Sequence, residues 1–220
     1  MNDKKIKKPW PTKKAMEQVY ELNLWGDNNT NFYSGDGSHY PDLVKPYIVK
    51  ITSFLTSFDK PLSLLDLGCG DFNVGKQLVH HSKKYTAIDI VQGIIDDNIK
   101  KYTAGNLSFL CLDIVTNKLP KADCILLRQV LQHLSNKEII KILEKLNAYK
   151  YIILTEHIPE GNFDANINII SGQGIRLKKH SGVDLLKPPF NFKAKKATKL
   201  LSLKPKNWKG VIVTYLYEVF

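Results

Sequence analysis

Asp66, Gly68, Gly70 and Asp71 stand together in the run Leu64-Leu65-Asp66-Leu67-Gly68-Cys69-Gly70-Asp71, where an apolar stretch meets an acid and then two closely spaced glycines. This order is expected where a buried parallel strand turns over a ligand, and a helix-like segment, 74–79, follows it. The glycines let the backbone turn sharply and approach a ligand that a side chain would hold away. A dinucleotide fingerprint needs a glycine at the sixth position, which is Asn73 here. No Lys-Ser/Thr pair follows at the spacing of a phosphate-binding loop. An acid two residues before the first glycine instead suits a cationic ligand, such as the amino-acid end of S-adenosylmethionine.

The elements that must position these residues follow in order. Tyr85-Thr86-Ala87-Ile88-Asp89-Ile90 reads as a second buried strand, and its acid is placed to accept hydrogen bonds from ribose hydroxyls. A third strand, 107–112, runs into Asp113 and Ile114, where an adenine edge would lie. A fourth, 123–127, runs into Arg128 and Gln129, and a fifth, 151–154, into Thr155, Glu156 and His157. Functional residues at the carboxyl ends of successive parallel strands are what an open doubly wound sheet predicts. Taken singly, a Gly-x-Gly is often only a tight turn, Asp89 a helix cap and Asp113 an ordinary strand end. Three acids ending three successive apolar strands carry the ligand reading.

This run resembles the class I S-adenosylmethionine-dependent methyltransferases. Asp66, Gly68, Gly70, Asp89 and Asp113 match their nucleoside- and methionine-binding positions, over a stretch covering about 62–157. The resemblance implies S-adenosylmethionine as cofactor and a Rossmann-like, doubly wound, seven-stranded, mostly parallel sheet whose last strand is antiparallel. It brings Cys69, Asp71, Ile90, Ile114, Arg128 and Gln129 into the cofactor-binding set, with Trp25 and Ser38 closing from the N-terminal segment. Leu24-Trp25-Gly26, Gly35-Asp36-Gly37-Ser38 and Asp184-Leu185-Leu186-Lys187-Pro188-Pro189-Phe190-Asn191-Phe192 are similar to a bacterial subgroup whose acceptors are mostly unassigned. Phe72 departs from the pattern, since many members carry a further glycine there.

Outside this core the chain divides into an N-terminal arm with cap helices, 1–60, and a core, 61–220, that includes an insertion at 158–192. The lysine-rich stretch 1–15, broken by Pro9 and Pro11, predicts a mobile arm, with a short helix over 15–24. Apolar spacing predicts a helix over 42–58, and Ser135-Asn136-Lys137-Glu138 is a capping box opening a helix to about Tyr149. The insertion has no clear period and reads as a lid. The alternating run 211–220 predicts a strand, paired with 199–203 across a turn near Lys206-Asn207.

At 220 residues and 43% hydrophobic, the chain can bury one good core. No apolar run approaches the ~20 residues that span a bilayer, and the lysine-rich N-terminus lacks a following apolar region. These features predict a soluble, cytoplasmic protein. Cys69, Cys111 and Cys124 lie in or beside predicted strands and read as core residues, and the histidines lack metal spacing, so no metal is expected.

The net charge of +11 invites a nucleic-acid reading. Only Arg128 and Arg176 of the 32 basic residues are arginines, so the bidentate fork that base and phosphate recognition favours is scarce. Nucleic acid stays possible but is not favoured.

Acceptor-side candidates must stand near the methyl group. His133, Glu156 and His157 qualify by position as catalytic residues, Glu156-His157 as a base with its orienting partner, and Arg176 as an anion clamp reaching in from the insertion. His133 reads equally as a histidine packed beside the sheet, and Glu156-His157 as strand-end polar groups in solvent. No Asn/Asp-Pro-Pro-aromatic run follows the fourth strand, which disfavours amino methylation of adenine or glutamine, and no cysteine stands where a pyrimidine-C5 enzyme needs its nucleophile. The expectation is O-methylation of a small molecule or saccharide. An RNA methyltransferase and a catalytically silent cofactor-binding module remain alternatives.

Overall fold

A computed structural model describes residues 10–27, 30, 32–206 and 208–220. Its frame is a seven-stranded sheet in the order β3-β2-β1-β4-β5-β9-β8. The strands are β1 (Ser63–Leu67), β2 (Lys84–Asp89), β3 (Leu107–Cys111), β4 (Cys124–Arg128), β5 (Tyr151–Ile158), β8 (Lys196–Leu203) and β9 (Val211–Glu218). β1 to β5 pair in parallel, while β9 runs antiparallel to both β5 and β8. β6 (Asp164–Ala165) and β7 (Ser181–Gly182) form a separate small pair within the insertion.

Strand parity sorts the core into two layers. Leu65, Leu67, Ile125, Leu127, Ile152 and Leu154 face helix α4 (Asn136–Leu146) through Ile139, Ile142 and Leu146. Leu64, Leu126, Ile153 and Leu216 face α2 (Pro41–Leu55) through Tyr47, Ile51 and Leu55. Both faces of the parallel strands are covered, which is why these strands read as continuous apolar runs. α4 starts where its capping box predicts, with both reciprocal bonds formed. The order reverses direction between β1 and β4, and the crevice beyond their carboxyl ends is where such sheets hold ligands.

Several expectations need correcting. Residues 74–79 form no α-helix: two 3-10 turns, Gly75–Gln77 and Val79–His81, fill the short connection. Phe72 and Gly75 pack ring against backbone there, which tightens the turn. The arm ends sooner than predicted, because α1 (Thr12–Glu21) begins at Thr12 and buries Met16 and Tyr20 against Ile94 and Ile95 of α3 (Gln92–Lys101) and against Val91 just before it. Residues 1–9 of that arm, and Asn207 of the predicted turn, lie outside the described residues. β5 extends to Ile158, so Glu156 and His157 lie within a strand rather than beyond its end. Antiparallel pairing with β9, Glu156 opposite Val213 and His157 opposite Ile212, supplies the extra length.

Candidate active site

Beyond the carboxyl ends of β1 to β4 lies a cleft of about 500 Å³, walled by the glycine loop, by parts of 12–38 and by 173–178 of the insertion. The loop is set by main-chain bonds. Gly68 and Cys69 donate their N–H groups to Ile88 O at 2.8 and 2.9 Å. Gly70, at φ +54°, donates to Asp89 Oδ2 (3.1 Å) and accepts from Asn98 Nδ2 (2.7 Å), and a Cβ there would collide with Ser34 Oγ. Asp89 Oδ1 takes the Val91 N–H at 3.0 Å. Burial pushes the Asp89 carboxyl up, against the pull of these donors. Phe72, fully buried at φ +62°, plugs the underside of the loop, edge-on to Tyr85, Tyr102 and Phe109.

Cys69, Ile90, Asp113, Ile114, Trp25, Ser38, Arg128 and Gln129 join Gly68, Gly70 and Asp89 on the walls of this cleft. Asp113 accepts from Val115 N and Thr116 Oγ1, both at 2.8 Å. Lys145 Nζ pins the same turn through the carbonyls of Ile114, Val115 and Asn117. Arg128 is held by Gly37 O (2.5 Å) and Ser38 Oγ (3.2 Å) and lies over the Tyr47 ring at 5.1 Å. Its Nε is buried without a partner. Gln129 sits at φ +58°, with its N–H on Thr155 O at 2.7 Å. A non-glycine residue there costs on the order of 1 kcal/mol and persists only where the surroundings enforce it.

Two members of the expected cofactor set stand elsewhere. Asp66 shares strand parity with Leu64, which turns its carboxylate away from the cleft to the α2 side, where Tyr85 Oη donates to it at 2.8 Å. Burial pushes this carboxyl up to about 6. Asp71 stitches the N-terminal loop to the glycine loop instead. It accepts from Ser34 N (3.0 Å) and bonds His39 Nε2 (2.6 Å), while its own N–H donates to Ser34 Oγ (2.8 Å).

On the acceptor side the structure separates the expected residues. His133 lines the cleft, its ring 4.9 Å from that of Trp25. Burial lowers it to about 4, so it is neutral at physiological pH. Its Nε2 meets Gln132 Nε2 at 3.2 Å, and its Nδ1 is buried without a partner.

Glu156, His157 and Arg176 do not line the cleft, which corrects the expectation that they face a methyl acceptor. Glu156 is 1% exposed and accepts the N–H groups of Leu131 (3.1 Å) and Gln132 (2.9 Å). Burial pushes its carboxyl up to about 8, while those donors and the Arg176 charge pull it down. Arg176, also 1% exposed, donates to the carbonyls of Leu131, Gln132, Leu134 and Ile167 and to Asn136 Oδ1. Its guanidinium fixes the 131–136 turn and the insertion to each other rather than clamping an anion. His157 Nε2 donates to Lys209 O at 2.8 Å, and burial lowers its pKa.

Sequence reasoning missed Tyr20, Ser34, Gln132, Gln173, Lys178 and Trp208, all on the cleft walls. The small-residue run 34–38 was a usable signal for Ser34, whereas Lys178 and Trp208 arrive from segments without any motif. Among the described residues no group of three or more His, Cys, Asp or Glu is placed to hold a metal, and no helix is long and apolar enough to cross a membrane.

Residues 64–149 match the family model described as a methyltransferase domain. No curated protein matches the sequence. Among solved structures, the N-methyltransferase NodS from Bradyrhizobium japonicum WM9 with bound S-adenosyl-L-homocysteine superposes with a TM-score of 0.64 at 14% identity, covering 93% of this chain and 98% of that one. Magnesium protoporphyrin IX methyltransferase from Synechocystis PCC 6803 with bound SAM gives 0.60 at 14% identity, over 96% and 100%. Human N-acetylserotonin methyltransferase in complex with SAM gives 0.56 at 16% identity, over 95% and 60%. At these identities the likeness is one of fold.

Proposed function

We propose that this chain, a class I S-adenosylmethionine-dependent methyltransferase, transfers the methyl group to an oxygen of a small molecule or saccharide. The observation that carries this reading is one continuous cleft running from the acids at the ends of β2 and β3, past the glycine loop, to Gln129, His133 and Trp208. Its volume of about 500 Å³ lies in the range of small-ligand sites. The N-terminal unit, whose described residues Thr12, Met16, Tyr20, Trp25 and 34–38 line the cleft, then acts as a cap over the core.

The donor set fits the cofactor. Asp89 would hold the ribose hydroxyls, Asp113 and Ile114 the adenine, and the partnerless Arg128 Nε the methionine carboxylate. When bound, S-adenosylmethionine supplies an electrophilic methyl on a sulfonium. The protein's task is then to align the acceptor and exclude water. Neutral His133 is a candidate base on the cleft wall, and its lowered pKa makes it a weak one. A carboxylate or an already acidic hydroxyl needs little more than positioning. Relatives named for magnesium protoporphyrin IX and N-acetylserotonin support a small acceptor.

Incubation with a labelled methyl donor and fractionated small-molecule and RNA extracts tests this reading. Label should enter the small-molecule fraction. Label confined to RNA would replace it with an RNA methyltransferase, and tight cofactor binding with no labelled fraction would leave a silent module.

A further inference from the structure

We propose that Trp208, at the tip of the β8–β9 hairpin, is the platform on which the acceptor ring lies, with His157 as its positioning residue and Lys178 selecting an acceptor that carries an anionic group. The proposal rests on the methyltransferase reading above.

Trp208 reaches the cleft from a hairpin far from the glycine loop in sequence, and it is braced on several sides. Tyr40, just before α2, meets its ring edge-on at 5.5 Å. The His157 ring lies 6.0 Å away at a tilt of 37°, and His157 Nε2 donates to the carbonyl of the next residue, Lys209. Gly210 then turns the chain into β9 at φ +86°, where a Cβ would collide with Ile158 O and come 3.2 Å from His157 Nε2. Lys206 pairs with Asp42 at 4.0 Å, and Lys204 with Glu160 at 2.7 Å, tying the same tip to α2 and to the insertion. An indole fixed in this way presents a large flat surface at low entropic cost, which suits a planar aromatic or a pyranose face.

Lys178 belongs to the neighbouring wall. Leu177, beside it, packs on Gly210 closely enough that a Cβ there would approach Leu177 Cδ2 at 3.1 Å. Asp36, Asp89, Asp113 and Arg128 on the cleft walls are all hydrogen-bonded within the protein. Among the described residues Lys178 is the charged side chain of the cleft with no such partner. A ring seated on Trp208 would share the cleft with this exposed cation, and an anionic substituent on the ring would answer it.

The test uses the full chain saturated with S-adenosylhomocysteine and saturation-transfer NMR with four probes. 4-Hydroxybenzoate and glucuronate are the anionic rings, and 4-hydroxybenzamide and glucose their neutral counterparts. One anionic ring should bind about fivefold tighter than its neutral partner, and which one does so distinguishes an aromatic from a pyranose acceptor. Lys178→Met should erase that preference. Trp208→Ala should weaken both rings by about tenfold, with Trp208→Phe largely restoring them. His157→Ala should weaken them likewise, while His157→Gln, which keeps a donor for Lys209 O, should not. Calorimetric affinity for S-adenosylhomocysteine should stay within about twofold in every variant, a split that general loss of fold would not produce. Equal binding of charged and neutral rings, no ring binding by the cofactor-loaded protein, or an unaffected Trp208→Ala variant would overturn the proposal. Failure of S-adenosylhomocysteine to bind at all would overturn the methyltransferase reading with it.

Discussion

At the end of the cleft beyond β2 and β3, polar groups stand on the wall: Gly70 and Val91 N–H groups fix Asp89, and Lys145 shapes the turn that holds Asp113. At the other end, beside Gln132 and His133, a carboxyl and a guanidinium stay behind the wall. Glu156 and Arg176 are both buried, bonded to the main chain of 131–136, and exposed to the cleft only through the residues they hold. One end turns hydrogen-bonded carboxylates toward the cleft, and the other keeps its buried pair behind the wall. A charge in a site-forming region is thus no guide to catalysis until its partners are known.

Arg176→Met strikes this contrast hardest. It strips donors from four carbonyls and one side-chain amide and leaves Glu156 without its countercharge, so a stability loss of about 3–5 kcal/mol is expected. Denaturant midpoints measure it. A loss of activity with unchanged stability would instead return Arg176 to the acceptor.

Glu156→Ala removes the acceptor of two buried N–H groups and should cost about 1–3 kcal/mol for each one left unpaired. Its pH signature is separable. The folded pKa, raised from 4.5 to about 8, means a stabilising contribution fully present below 4.5 and lost as pH rises through 8. Wild-type stability should therefore fall between pH 6.5 and 8, and Glu156→Gln should lack that slope. Parallel curves for the two proteins over this window would show that Glu156 is ionised throughout.

Asp89→Ala probes the other end. Losing a charged partner for the ribose should cost about 1–3 kcal/mol of cofactor affinity by calorimetry, alongside a stability loss of about 1–3 kcal/mol for each of the Gly70 and Val91 N–H groups left unpaired. Unchanged affinity would remove Asp89 from the site and with it half of the contrast.

The smallest effect is expected at His133. Being neutral above about pH 4, it should leave the rate flat between pH 6 and 8, and His133→Asn should lower turnover without changing cofactor affinity. A rate that titrates near pH 6.5 would mean that the ring is less buried during turnover.

The glycine loop and its flanking strands were legible because their parts are local. An apolar strand, paired glycines and an acid at each strand end are adjacent in sequence, and β1, β2, β3 and β4 fall where those runs predict. Glu156 and His157 misled because β5 is lengthened by β9, a partner that arrives some 55 residues later in the register Glu156 to Val213. Arg176 misled for a different reason. Its acceptors are main-chain carbonyls, which every residue carries and no motif marks. Asp66 marks a third limit, since its motif position was readable while strand parity, which decides the face it serves, needed the sheet.

Phe72 is fully buried beneath the glycine loop and bolts it from below. A glycine would leave that loop free to wander until a ligand arrived, and each residue then ordered would subtract roughly 1–2 kcal/mol from the binding free energy. Here that ordering is completed when the chain folds. The loop is expected to meet its ligand as a rigid mould, with no rearrangement of its own to slow association.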